Sequence, residues 1–175
     1  MKWGHHLVCT ACVGAAVNLE MAAFVGIMAG GVFPDALDSM VSGGSQFLWR
    51  AIHRTLSHWP YLYLAPIVPL VFFWGQLPLL FAQAILWFLV GSLVHLAGDM
   101  LTPSGVPVSP VSLKNTFSLH WFRTGSFKEY LFMFPVTVLT VGLLGYRFLH
   151  GDLRLGVGPE QAAYVRDILS SFIAQ

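Results

Sequence analysis

A long stretch without charge sets the strongest limit on how this chain folds. Between Arg54 and Asp99 the sequence has no Asp, Glu, Lys or Arg. The part from Tyr61 to Gly98 is about 38 residues long, which is enough for two membrane spans of roughly 20 residues each. A Gly-Gln-Leu-Pro run at 75–78 divides it with residues typical of turns. The sequence therefore predicts a helical hairpin, because helices pair their own backbone polar groups inside a bilayer.

The composition of the whole chain supports the same interpretation. Only 10% of the 175 residues are charged and 56% are hydrophobic, whereas soluble domains carry about 25% charged residues. The net charge of +1 provides no basic surface for nucleic acid. These values argue against a soluble globule, a disordered chain and a nucleic-acid-binding protein.

Apolar segments elsewhere extend the hairpin to a bundle. A third span is predicted at about residues 130–146, and the apolar stretches 3–17 and 21–33 are either two short helices or one imperfect span. A cleaved signal peptide is a rival interpretation of the first stretch, but His5 and His6 fit poorly in one. We expect an all-α, polytopic membrane helix bundle of about four to five helices.

The last part of the chain has a different pattern. After Gly151, apolar residues recur at helical spacing between charged ones, which predicts an amphipathic C-terminal helix. Such a helix lies on the membrane surface, or packs against the bundle or a partner protein. The sequence thus divides into a membrane-embedded domain, residues 1–150, and an amphipathic tail, residues 151–175. The sequence leaves open whether the protein forms a homo-oligomer or binds a protein partner through this tail.

The hairpin also fixes the relative sides of two polar stretches. Because two spans separate them, residues 35–60 and 99–129 lie on the same side of the membrane. They hold five of the nine Lys and Arg residues, and an excess of such residues marks cytoplasmic segments. We therefore expect the polar side to face the cytoplasm.

Histidines and aspartates at the predicted helix ends are candidates for chemistry. His95 and Asp99 are four residues apart, so a helix presents both on one face. Imidazole and carboxylate groups bind zinc and similar divalent ions, while a hydrogen bond that braces the helix end is the alternative. Asp35 and Asp38 come directly after an apolar helix, where helix capping is the alternative role.

Further histidines add to this pattern. His53 and His58 are five residues apart, about 140° away from a common helix face, so they converge only if the helix ends between them. Pro60 favours such an end, and an interfacial patch is the alternative. His5 lies near the start of the first helix. In a chain with so few polar groups, convergence on one metal centre explains the pattern better than unrelated structural roles. The predicted ligands are His5, Asp35, His53, His58, His95 and Asp99.

Other polar residues are candidates for substrate binding. Lys114 and Arg123 could grip a phosphate, although anchoring on the cytoplasmic side explains them equally well. Thr102 opens a Thr-Pro-Ser-Gly-Val-Pro turn that would close over the site.

The motifs and their order resemble a known family, the YdjM-like, LexA-binding, inner-membrane-associated metal-dependent hydrolases. The resemblance covers about the first two-thirds of the chain. Its matching segments are Gly4-His5-His6-Leu7, Phe33-Pro34-Asp35, His53-Arg54 with His58, and, most specifically, His95-Leu-Ala-Gly-Asp99-Met-Leu-Thr102-Pro-Ser-Gly105-Val-Pro107. The resemblance implies the same six ligands. The family pattern Pro-Asp-x-Asp-His is not kept after Pro34, since Asp38 comes one residue later with no His behind it. Asp35 is therefore the better ligand candidate.

The order of the motifs is also similar to that of zinc-dependent phospholipases C, which implies phosphoester hydrolysis. One or two zinc-type ions would activate a water and polarise a phosphoryl oxygen. Asp35 or Asp38 would act as the general base, and Arg54, Lys114 or Arg123 would steady the phosphate. The expected substrate is a lipid or another amphiphile, cleaved at the cytoplasmic face of a bacterial inner membrane. The alternative is a non-enzymatic membrane scaffold or regulator that binds a partner through the C-terminal helix.

Overall fold

The computed structural model describes residues 1–151 and confirms an all-α bundle. The predicted amphipathic tail lies outside the described residues. A short β-hairpin and two 3₁₀ turns, Leu56–His58 and Trp74–Gln76, complete the described part. The helices and strands are α1 (Trp3–Ala16), α2 (Met21–Ser42), α3 (Gln46–Ile52), α4 (Tyr61–Phe72), α5 (Leu79–Met100), α6 (Phe127–His150), β1 (Val106–Pro107) and β2 (Thr116–Phe117).

Three of these helices, α2, α5 and α6, are long and apolar enough to cross a membrane. The predicted hairpin is present as α4 and α5, joined by the turn Trp74–Gln76. The expectation of two spans of similar length is wrong for α4, whose 12 residues extend only about 18 Å against a hydrocarbon core of about 30 Å. The helix begins just after Pro60 and ends before the turn, and its interior Pro66 and Pro69 lack backbone N–H donors.

The N-terminal third forms two helices, and the second is longer than the sequence predicts. α2 is 22 residues long and continues past Pro34. It ends before Gly43, which adopts the left-handed conformation with φ 55°. Asp35 and Asp38 therefore lie inside a helix rather than after one, and the capping role is excluded for Asp35. Their spacing of three residues turns both carboxylates toward the same buried face.

Helices α2 and α5 pack in parallel and in close contact. Gly26 and Gly30 of α2 approach the carbonyl oxygens of Ala84 and Phe88 on α5, so the two helices advance in the same direction. A Cβ atom at Gly30 would lie 1.9 Å from the Phe88 oxygen, so glycine is required for this approach. The contact brings the C-terminal ends of α2 and α5 side by side.

The first and last described helices also run parallel to each other. The backbone N–H of Lys2 donates to Glu129 Oε1 at 2.9 Å, and at the opposite ends Arg147 Nε donates to the Ala15 carbonyl at 2.9 Å. His6 near the start of α1 stacks on His95 near the end of α5. The N-terminal ends of α1 and α6, which contact each other through Lys2 and Glu129, therefore lie beside the C-terminal end of α5. We call this end of the bundle, where residues 35–60 and 99–129 meet, the polar end.

Candidate metal centre

Four buried side chains from three segments meet at the polar end. Asp35 comes from α2, His58 from the turn after α3, and His95 and Asp99 from the last turns of α5. His58 Nε2 lies 3.4 Å from Asp35 Oδ1, 3.4 Å from Asp99 Oδ2 and 3.3 Å from His95 Nε2. His95 Nε2 lies 3.6 Å and 3.7 Å from the same two carboxylate oxygens. We call these residues the four-residue cluster.

Five of the six separations between these donor atoms are close to those of a tetrahedral metal site, and all four atoms lie within 4.8 Å of one another. Zinc binds imidazole nitrogen and carboxylate oxygen at about 2.0–2.2 Å, which places tetrahedral ligands about 3.3–3.6 Å from one another. The five separations given above range from 3.3 to 3.7 Å. Asp35 Oδ1 and Asp99 Oδ2 are buried and have no hydrogen-bond partner within residues 1–151. Such oxygens are costly to bury unpaired, so the cluster fits a divalent cation at its centre.

The backbone of α2 fixes the orientation of His95. Its Nδ1 lies 2.7 Å from the carbonyl oxygen of Gly31. A carbonyl only accepts hydrogen bonds, so Nδ1 carries the proton and Nε2 presents its lone pair to the cluster. The close packing of α2 against α5 thus sets the tautomer of one candidate ligand.

His58 is held from its other side by hydrogen-bonding groups. Its Nδ1 lies 2.9 Å from Ser57 Oγ and 3.5 Å from Asp38 Oδ2. Burial disfavours a charge on this imidazole, but the nearby carboxylates of Asp35 and Asp99 outweigh that effect and raise the pKa of His58. Because a neutral imidazole has a single lone pair, His58 offers Nε2 to the cluster only if Nδ1 keeps its proton.

Asp38 and His53 form a pair beside the cluster. His53 Nδ1 lies 2.9 Å from Asp38 Oδ2 and 3.7 Å from Asp35 Oδ1, and its ring stacks on Trp49 at 4.0 Å between centroids. With His58, these two residues form a second group of potential ligands. A neutral His58 cannot serve both groups at once, so we interpret Asp38 and His53 as neighbours of the cluster.

Arg54 and Thr102 hold Asp99 in place. The Arg54 guanidinium donates to Asp99 Oδ1 at 2.9 Å and to Thr102 Oγ1 at 2.7 Å, and the Thr102 hydroxyl donates to the Asp99 carbonyl at 2.9 Å. The amino group of Met1 lies 2.5 Å from the same Oδ1. These contacts occupy one oxygen of Asp99 and leave Oδ2 facing the cluster. The structure places Arg54 and Thr102 where they hold Asp99, a candidate ligand, in position.

The two adjacent N-terminal histidines have different surroundings. His5 Nδ1 lies 2.7 Å from Glu129 Oε1 on α6, outside the cluster. His6 is fully buried, stacks on His95 with 3.6 Å between centroids, and has its Nε2 3.4 Å from Asp99 Oδ1. Burial lowers the pKa of His6, in α1 and outside the three candidate spans, to about 4. A neutral third imidazole thus lies against the cluster, where the sequence interpretation had placed His5.

A signal for His6 was present in the sequence. His6, Thr10 and Gly14 are spaced by four residues, and all three are buried on one face of α1. A helix turns about 100° per residue, so the neighbouring His5 points away from that face. Phase along the helix therefore distinguishes the two histidines.

A cleft of about 570 Å³ reaches the cluster from the surface. Asp35, His53 and Arg54 line it together with Trp49 and Arg50. Arg50 is exposed, and its side chain forms no hydrogen bond or ion pair with any described residue. It is the unpaired cation of the cleft, and sequence reasoning gave it no site role.

The two remaining cations of the sequence interpretation lie elsewhere. Lys114 and Arg123 are both exposed, and neither is among the residues that line the cleft. Arg123 lines a different cavity at the start of α6. The structure thus does not bring these residues to the four-residue cluster.

Comparison with known proteins identifies the family. No curated protein and no solved structure gives a significant match to the chain. The family model described as YdjM inner membrane protein matches residues 1–158, which include every residue of the cluster and the cleft. The sequence resemblance is confirmed at this level: the chain belongs to the YdjM inner membrane protein family.

Proposed function

We propose that the protein is a membrane-embedded, metal-dependent hydrolase that cleaves a phosphoester in a lipid or another amphiphilic substrate. The observation that carries the proposal is the close approach of four buried donor atoms, from Asp35, His58, His95 and Asp99, within 4.8 Å of one another. Two of the carboxylate oxygens are buried without a hydrogen bond in the described chain, and a cation between them and the imidazoles would satisfy them.

The donor set favours a zinc-type ion. Two imidazole nitrogens and two carboxylate oxygens suit zinc better than magnesium or calcium, which prefer six or more oxygens. A catalytic role would need the ion to bind a water in addition to these ligands, or one of the four to give way to it. A bound ion of this kind would lower the pKa of a water to about 7 and polarise a phosphoryl oxygen.

The chain's own residues supply binding and proton transfer. We assign Arg50 to the substrate phosphate, because it lines the cleft and its guanidinium has no partner among the described residues. His53 lines the same cleft and is held through Nδ1 by Asp38, so its Nε2 can take a proton from the attacking water. The water oxygen bonds to phosphorus and the ester P–O bond breaks. The proton that His53 took from the water passes to the leaving oxygen, which departs as the alcohol product.

The location of the cleft favours an amphiphilic substrate. The cluster lies at the polar end of apolar helices, and Trp3 and Trp49 line the cleft, as tryptophans do at membrane interfaces. A lipid headgroup could enter here while its acyl chains stay in the bilayer. The excess of Lys and Arg at this end supports a cytoplasmic orientation.

Metal analysis of the protein purified in detergent without chelators tests the proposal. We expect close to one zinc-type ion per chain in the wild type, and loss of the ion in His95→Ala and Asp99→Asn. His150→Ala is the matched control, because this exposed histidine is bonded to the Tyr146 carbonyl, far along α6 from the cluster. Metal-free wild-type protein would contradict the proposal, as would loss of metal in the control.

A hydrolysis assay tests the reaction itself. Metal-loaded protein in mixed micelles should release a phosphorylated product from a phospholipid, and His95→Ala should not. If the protein binds metal but cleaves no phosphoester, the hydrolase assignment fails while the metal centre stands.

A further inference from the structure

A second cavity, of about 690 Å³, lies outside the cleft at the start of α6. Residues 120–123 and the first turn of α6 form most of its lining. The lining residues that matter here are Pro103, His120, Trp121, Arg123, Phe127 and Lys128. We call this cavity the α6 pocket.

The charge of the α6 pocket favours an anion. Arg123 and Lys128 are exposed, and their side chains have no hydrogen-bond or ion-pair partner among residues 1–151. No Asp or Glu is among its lining residues. The nearest carboxylate in sequence, Glu129, is buried and accepts hydrogen bonds from Lys2, His5 and Gly125. Two positive charges therefore face the pocket without a countercharge.

An apolar stripe along α6 leads away from the pocket. Its residues recur at spacings of four and three, so they share one face of the helix. More than half of the surface of each side chain is exposed, and α6 is a candidate membrane span that buries little of its surface in the bundle. The stripe consists of Phe127, Leu131, Phe134, Val138 and Val141. Trp121, which is 58% exposed, lies at its polar end, where an interfacial tryptophan is expected.

We propose that the α6 pocket binds an anionic phospholipid. The phosphate of the headgroup lies between Arg123 and Lys128, and an acyl chain follows the stripe from Phe127 toward Val141. A free phosphate would use the two cations and leave the stripe uncovered. A zwitterionic lipid brings its own positive charge to a pocket that already holds two. The combination of cations and a lipid-facing stripe therefore points to a lipid with net negative charge.

The α6 pocket is separate from the proposed active site. Its lining shares no residue with the cleft, although Pro103 and Arg123 of the pocket adjoin Ser104 and Thr124 of the cleft. Binding here does not depend on a metal or on hydrolysis. The proposal can thus be tested even if the proposed function fails.

Native mass spectrometry of the full-length protein in mild detergent tests the lipid site. We expect phosphatidylglycerol to bind more tightly than phosphatidylcholine of the same acyl chains. Removing both charges in R123Q/K128Q should weaken phosphatidylglycerol binding by about 30-fold, since each cation near the surface contributes about 1 kcal/mol. Lys114→Gln is the matched control, because Lys114 is an exposed cation of the same polar stretch that does not line the pocket.

Further competition and mutation experiments distinguish binding of a phospholipid from binding of free phosphate. Inorganic phosphate at millimolar concentration should not displace phosphatidylglycerol, whereas a short-chain phosphatidylglycerol should. Phe134→Ser, which interrupts the stripe, should weaken lipid binding without changing the folded helix content measured by circular dichroism. Equal binding of both lipids, unchanged binding in R123Q/K128Q, or displacement by inorganic phosphate alone would overturn the proposal.

Discussion

The imidazole of His6 stacks on that of His95, with 3.6 Å between ring centroids and 12° between planes. His95 belongs to the four-residue cluster, and its Nδ1 is fixed by the Gly31 carbonyl. The two rings therefore limit each other's rotation. A residue of α1 thus takes part in holding a cluster residue of α5.

Replacing each of the two N-terminal histidines by alanine separates their roles. His6→Ala removes the ring that packs on His95 and should lower metal affinity by about 10-fold or more, as loss of a supporting group does. His5→Ala should leave metal content unchanged and cost about 1 kcal/mol of stability, because Glu129 loses one hydrogen bond and keeps two backbone donors. Metal titration and thermal unfolding measure both effects. Loss of metal in His5→Ala would contradict this assignment.

The two arginines of the cleft should also differ in effect. Arg54→Gln removes one of the two cationic partners of Asp99 Oδ1 and leaves the Met1 amino group as the other, so we expect metal affinity to fall by about 10- to 100-fold. Arg50→Gln leaves the cluster intact and should keep full metal content, while the KM for a phosphoester substrate rises. Metal analysis and steady-state kinetics of the two variants provide the comparison. Equal metal loss in both would show that Arg50 supports the cluster instead of the substrate.

His53 should affect turnover more than metal binding. Its Nδ1 is bonded to Asp38 and its ring lines the cleft, so His53→Gln removes the proposed proton acceptor while the four cluster residues remain. We expect kcat to fall by about 10²- to 10⁴-fold with the metal retained. A variant that loses its metal in parallel with its activity would instead make His53 a ligand.

The contact between α2 and α5 should be sensitive to a single methyl group. Gly30→Ala places a Cβ against the Phe88 carbonyl, which should cost at least about 2 kcal/mol of stability and disturb the cluster. Gly75→Ala is the control, because a Cβ there meets nothing within 4 Å. Thermal unfolding in detergent compares the two. Equal stability of both variants would show that the helices can separate without cost.

Much of the fold follows from local patterns in the sequence. The charge-free stretch predicts the hairpin and its turn, and the structure has both in α4 and α5. The sequence interpretation ended the second apolar stretch at residue 33, just before Pro34, and a proline usually ends a helix in water. In a membrane bundle the neighbouring helices tolerate the missing hydrogen bond, so α2 continues and carries Asp35 and Asp38 inside it.

The candidate site was only partly predictable. The spacing of His95 and Asp99 predicted that both side chains lie on one face of a helix. Asp35 and His58 were predicted to join them because the chain has few other polar groups. The roles of Arg54 and Arg50 did not follow, because the sequence cannot show that one guanidinium is already bonded to Asp99. That contact joins residues 45 positions apart.

The sequence by itself determined that this chain belongs in a membrane and that several of its few imidazoles and carboxylates lie near the ends of its apolar segments. Those properties depend on composition and on spacing within single helices. The spacing of residues along α1 places His5 and His6 on different faces of that helix. Only the tertiary structure decided that the face with His6 meets the cluster, because that depends on where α5 and Glu129 of α6 lie around α1. The close approach of α2 and α5 through Gly30 then sets the distances between the donor atoms, and no local pattern specifies a distance between helices.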